Sequence, residues 1–189
     1  MSTLAFLGDE ITLGGDWASW FPDRETLNLG VEGDSTEDLV ARREDVIEAN
    51  PGSVVLLIGS NDVSRRKSVE HIVRNIQYLM VTLRTGLPGA RLLLQSVVPR
   101  DPARADQLLD ANRHLRQFCP SLNAQFLDLW PALASVDGGL RDEFTTDGVH
   151  LTAAGYEAWL TELRPALERL DEAPPMTRPI PVQNTSDTR

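Results

Sequence analysis

The run Val54-Val55-Leu56-Leu57-Ile58 constrains this chain more than any other feature. It is continuously apolar and partly β-branched, with no polar residue on alternate positions. A strand of that kind is covered on both faces, which is the situation of a parallel sheet between two layers of helices. Companion runs predict strands at residues 3–7, 26–31, 91–96 and 125–129. Between them lie helical patterns at residues 35–49, 68–85, 104–117 and 153–170. Ser35 or Thr36 can cap the first of these, with Asp38 in its first turn, and Thr152 can cap the last. Asn50-Pro51-Gly52 and Leu87-Pro88-Gly89 read as stop signals. Strand–helix alternation with right-handed crossovers implies an α/β fold, a three-layer α/β/α sandwich.

The 189 residues suit one domain, expected over residues 2–171. Residues 172–189 are rich in Pro, Thr and Ser and are expected to be a tail rather than part of a core. The net charge of −10 argues against a nucleic-acid or anionic-membrane partner. No apolar run reaches the length of a membrane span, and the first residues lack the pattern of a signal peptide, so a cytoplasmic location is expected. The single cysteine, Cys119, excludes an internal disulfide and reads as a packed thiol. No His/Cys cluster has metal-ligand spacing and no Gly-rich phosphate loop occurs, so neither metal nor cofactor is expected.

In open parallel sheets, chemistry gathers at the carboxyl ends of the strands. Three strand ends here carry polar turns: Gly8-Asp9-Glu10, Gly30-Val31-Glu32-Gly33-Asp34 and Gly59-Ser60-Asn61-Asp62. A fourth segment, Asp147-Gly148-Val149-His150, precedes the last helix. Each alone is weak; Gly-Asp is common in turns, and Asn-Asp after a strand is often only a helix cap.

The four in this order resemble the blocks of the SGNH (GDSL-type) hydrolases, with likeness over about residues 3–170. The first block of that family reads Gly-Asp-Ser-Ile/Leu-Thr; here it is Gly8-Asp9-Glu10-Ile11-Thr12. The second supplies an oxyanion-hole glycine, matching Gly33. The third, Gly-x-Asn-Asp, matches Gly59-Ser60-Asn61-Asp62, with Asn61 as an oxyanion donor. The last, Asp-x-x-His, matches Asp147 and His150. The segments "SVVPR" and "LLDANRHL" also look like the family, most of all its platelet-activating-factor acetylhydrolase type. The resemblance implies a flavodoxin-like sandwich with five parallel strands and esterase chemistry on a small carboxylic ester. His150 would be the base, Asp147 would fix its tautomer, and Gly33, Asn61 and the N–H of residue 10 would face the oxyanion.

The nucleophile departs from the pattern, because Glu10 stands at the serine position. An inward-pointing glutamate can fill the oxyanion hole, accepting from Gly33 and Asn61, and can pair with His150 and hold that ring protonated. Three accounts follow: a non-catalytic relative that binds with the same pocket, a working carboxylate, or an ordinary esterase carrying a substitution. Ser35, in the decoy Gly33-Asp34-Ser35, is read as a helix cap and not a nucleophile. Trp17, Trp20 and Phe21 either wall an acyl pocket or pack the first helix. Trp130 is expected to pack, Arg65-Arg66-Lys67 to be a solvated loop, and His71 and His114 to have no catalytic role. The expected partner is a small-molecule ester or acylated ligand, with a homo-oligomer left open.

Overall fold

The computed structural model describes residues 3–172. Five strands, β1 (Leu4–Gly8), β2 (Thr26–Gly30), β3 (Ser53–Leu57), β4 (Arg91–Gln95) and β5 (Gln125–Leu127), form one sheet in the order β2-β1-β3-β4-β5. Every pairing is parallel. This is the flavodoxin-like order, and the strand sequence reverses direction between β1 and β3. The expected sheet, its strand number and its parallel sense are all present.

Side-chain alternation along the strands divides the core. Leu7, Val54, Leu56, Leu92 and Leu94 point to one face; Leu4, Phe6, Val55, Leu57 and Leu93 point to the other. The first face is covered by α3 (Thr36–Ala41), α4 (Arg43–Glu48), α6 (Val69–Gly86) and α7 (Ala105–Phe118). The second is covered by α1 (Glu10–Leu13), α2 (Trp17–Trp20), α8 (Trp130–Leu133) and α9 (Ala153–Glu172). Because both faces are covered, β3 can be apolar at every position after Ser53; its five residues are all buried. The aromatic residues after β1 belong to this packing. Trp17 is buried, stacks on Phe6 at 3.8 Å between ring centroids, and meets Trp159 edge-on. The packing alternative therefore holds for Trp17, and Phe21 is buried beside it.

One expectation is corrected. The helix predicted over residues 35–49 is two helices, because Arg42 leaves the helical region (φ −101°, ψ 16°). Its guanidinium turns inward, donating to the carbonyls of Gly8 and Leu29 and pairing with Asp34. Those contacts tie the ends of β1 and β2 together and are incompatible with an uninterrupted helix there. The last helix runs through Glu172, one residue past the expected domain boundary; the rest of the expected tail lies outside the described residues. Among the described residues no helix is long and apolar enough to cross a membrane.

Candidate active site

The site grows from the reversal point between β1 and β3. After Gly8, Asp9 takes an extended conformation and caps α1, its Oδ1 accepting from the Ile11 N–H at 3.1 Å. Its Oδ2 accepts from the Ser60 hydroxyl at 2.8 Å, which ties the β1 turn to the β3 turn. Tyr156 on α9 donates to the Ile11 carbonyl at 2.8 Å and steadies α1 from the other side. Residue 10 is thereby set at the first position of a one-turn helix, facing the crevice. Burial and the neighbouring Glu10 charge push the Asp9 carboxyl up to about 7.

The Glu10 side chain is only 4% exposed, and its two carboxylate oxygens have different surroundings. Oε2 accepts from the Gly33 N–H at 3.0 Å and from Asn61 Nδ2 at 2.7 Å. Oε1 lies 3.7 Å from Nη1 of Arg100, an ionic contact longer than a hydrogen bond. Arg100 Nη1 also donates to Asn61 Oδ1 at 3.1 Å, which fixes the orientation of the amide that serves Glu10.

Each donor has a reason to be where it is. Gly33 has φ +73°, a left-handed conformation that favours glycine, and Arg65 Nη2 holds its carbonyl at 2.7 Å. Asn61 enters on α5 (Ser60–Ser64), which Gly59 starts from φ +118°. Its Nδ2 also donates to the Asp34 carbonyl at 3.0 Å. The neighbouring Asp62 is fully buried and accepts from the Thr36 N–H and hydroxyl at 2.8 and 2.6 Å, locking α5 against α3. Arg100 follows β4 on a segment clipped by Asn112 of α7, whose amide exchanges hydrogen bonds with both backbone groups of Val97 at 2.8 and 3.0 Å.

His150 sits on the loop before α9. Its Nδ1 meets Asp147 Oδ2 at 2.7 Å, while Asp147 Oδ1 accepts from the N–H groups of Val149 and His150. The His150 ring is 54% exposed, in contrast to buried Glu10 and Asn61. The bond to Asp147 raises the imidazole above its ordinary pKa, with smaller contributions from the charges of Asp147, Glu32 and Glu10. The same bond holds Asp147 well below the usual carboxylate range. The carboxylate facing Nε2 belongs to Glu32, at 3.9 Å.

Glu10, Gly33, Asn61, Asp147 and His150 therefore lie at one end of the sheet, with Glu10 bonded to Gly33 and Asn61 as expected. The expected direct pairing of Glu10 with His150 is corrected: the cation nearest Glu10 is Arg100, and Glu10 reaches the imidazole only as a more distant charge. Ser35 is a cap, exchanging hydrogen bonds with Asp38 in a capping box. Arg65 and Lys67 are not simply solvated, since they pair with Asp38 and Glu37. Sequence reasoning did not single out Arg100 or Glu32. The signal available was their place, Arg100 at the end of "SVVPR" and Glu32 in the turn after β2.

Beside the site a cleft of about 940 Å³ runs from Arg100 to Gly148, walled by Pro102, Val136, Leu140 and Thr145. Its size is that of a small-molecule pocket.

Comparison with known proteins agrees with this fold. Residues 6–158 match the model of the GDSL-like lipase/acylhydrolase family. Among curated relatives, rat platelet-activating factor acetylhydrolase IB subunit alpha2 is 25% identical over 166 residues, 84% of this chain and 71% of that one. The rat alpha1 subunit is 27% identical over 161 residues, covering 82% and 68%. Among solved structures, a GDSL-like lipase from Bacteroides thetaiotaomicron superposes with a TM-score of 0.76 at 24% identity, covering 89% and 88% of the two chains. A catalytic mutant of an acetylxylan esterase from Geobacillus stearothermophilus gives 0.70 at 23% identity, covering 86% and 94%. At these identities the structural matches speak for the fold alone.

Proposed function

The chain belongs to the GDSL-like lipase/acylhydrolase family, and on that footing we propose that it is an esterase-type protein for small carboxylic esters whose serine-type turnover is suppressed by Glu10. The observation that carries this reading is the seat of Glu10 Oε2, between the Gly33 N–H and Asn61 Nδ2. In acyl transfer, two such donors would stabilise the oxyanion of the tetrahedral intermediate, each contributing roughly 3 kcal/mol to lowering the barrier. Here they hold a resting carboxylate. No serine hydroxyl stands at position 10 for His150 to deprotonate, and the raised pKa keeps more of the imidazole charged at a given pH. On this reading His150, bonded to Asp147, serves as the base for a nucleophile placed at position 10.

The same observation supports a second reading, a binding protein that holds an acylated ligand in the cleft without turning it over. Glu10→Ser separates a plugged esterase from a pocket rebuilt for another purpose. It should free both donors and supply the hydroxyl, so hydrolysis of p-nitrophenyl acetate should rise by about a hundredfold or more, since nucleophile and base act as a unit. An inert Glu10→Ser chain that still binds acylated ligands would favour the binding reading.

A further inference from the structure

The asymmetry of the Glu10 carboxylate points to a second chemistry. One oxygen is pinned by two donors; the other, among the described residues, has no hydrogen-bond donor and faces the counter-charge of Arg100 at 3.7 Å. A carboxylate nucleophile attacking a carbonyl would need an oxyanion site for the substrate oxygen, and the Gly33–Asn61 pair is already filled by Oε2. Acyl attack would also produce an anhydride. Attack at a saturated carbon meets neither obstacle, because that step develops no oxyanion. We propose that Glu10 Oε1 is a nucleophile toward haloalkanes, and that the donor pair serves the breakdown of the alkyl–enzyme ester that results. The proposal rests on the reading of Gly33 and Asn61 as oxyanion donors.

In the first step the Oε1–carbon bond forms, the carbon–halogen bond breaks, and the halide leaves with the bonding pair. No proton moves. In the second, His150 takes a proton from water as the water oxygen adds to Cδ of Glu10. The charge that develops falls on Oε2, which already lies 3.0 Å from the Gly33 nitrogen and 2.7 Å from Asn61 Nδ2. The donors thus lie where the second intermediate needs them. The intermediate then collapses: the Cδ–Oε1 bond breaks, the alkoxide takes the proton from His150 and departs as an alcohol, and the remaining water proton goes to solvent with the halide. Glu10 returns as a carboxylate carrying one oxygen from water. Arg100, whose guanidinium faces Oε1, also lines the cleft walled in part by Pro102, Val136 and Leu140, where an alkyl chain can lie.

The probe is 1-bromobutane with the full-length chain. The parent should release bromide at a rate roughly tenfold or more above Glu10→Gln, the near-isosteric variant that lacks the nucleophile. His150→Ala should stall after the first step and carry one butyl group on the peptide containing Glu10, read by mass spectrometry. A single turnover of the parent in ¹⁸O-water should place the label in Glu10 and leave it out of the first butanol. Equal bromide release by parent and Glu10→Gln, or a butyl group found only on other residues, overturns the proposal. Glu10→Ser assayed on p-nitrophenyl acetate keeps the two readings apart. A gain of ester hydrolysis with no butylation of Glu10 leaves the oxyanion reading standing and overturns this one. Butylation of Glu10 with an inert Glu10→Ser chain supports the nucleophile and overturns the donor assignment.

Discussion

Asp9→Asn should make the protein more stable, and by an amount that grows with pH. Asp9 is fully buried beside Glu10, and its carboxyl is pushed up to about 7 from an ordinary value of 3.8. A raised folded-state pKa means that the folded protein holds this proton more tightly than the unfolded chain does. The resulting stability is complete below about pH 4, declines as pH rises, and is gone above about pH 7. Roughly three pKa units correspond to about 4 kcal/mol. Asparagine removes the titration and keeps the geometry: Oδ1 still accepts from the Ile11 N–H, and the Ser60 hydroxyl turns to accept from Nδ2. Urea denaturation of parent and variant at several pH values between 4.5 and 8 isolates the effect, because other titrating groups are shared and largely cancel in the difference. The variant's advantage should be about 1 kcal/mol at pH 4.5 and approach about 4 kcal/mol at pH 8, on the order of 10 °C in Tm. Glu10→Gln removes the second cause of the shift, so the parent's decline should shrink and move to lower pH. A gap between Asp9→Asn and parent that stays flat from pH 5 to 8 would refute the reasoning.

Fluorophosphonate should label Glu10→Ser at position 10 and leave the parent unlabelled, because only an activated serine reacts. In that background Ser35→Ala should barely change esterase activity, although loss of the cap should lower stability by about 1 kcal/mol in thermal or urea unfolding. Asp147→Asn in the same background should cut turnover by orders of magnitude. Losing the bond that raises the imidazole pKa should also move the rising limb of the pH–rate profile to lower pH. Gly33→Ala meets no steric neighbour, yet at φ +73° it should cost about 1 kcal/mol of stability. It should also weaken esterase turnover of Glu10→Ser by shifting the N–H that faces residue 10.

Much of this arrangement was legible in the sequence where a local pattern determines a local structure. The unbroken apolar run at β3 required cover on both faces, and that cover required a parallel sheet with alternating helices. The strand-end rule then brought Glu10, Gly33 and Asn61 to one crevice. Ser35 or Thr36 could be read as the cap of the next helix, and Asp38 lay in its first turn. What stayed hidden depends on side chains that meet only in three dimensions. Arg42 lies in a sequence that reads as continuous helix; the helix breaks because two carbonyls at the ends of β1 and β2 take its guanidinium. Arg100 ends the segment "SVVPR", but nothing along the chain shows that Asn112, from a different helix, clips that segment. Glu10 pairs with Arg100 instead of His150 because the Gly33 and Asn61 donors fix the carboxylate within reach of that guanidinium. Spacing along the chain carries no information about that choice.

The bonds that locate residue 10 do not involve its side chain. Asp9 holds the Ile11 N–H and the Ser60 hydroxyl, Arg42 holds the Gly8 carbonyl, Tyr156 holds the Ile11 carbonyl, and the Glu10 carbonyl accepts from the Gly14 N–H. The turn is therefore a socket, and the group plugged into it is interchangeable. Serine, glutamate or cysteine at this position would present a different reactive atom to the same donors, the same imidazole and the same cleft, with the backbone unmoved. In such a fold the kind of reaction can change while the turn stays in place, and one position can be varied exhaustively to map which chemistries a single scaffold supports.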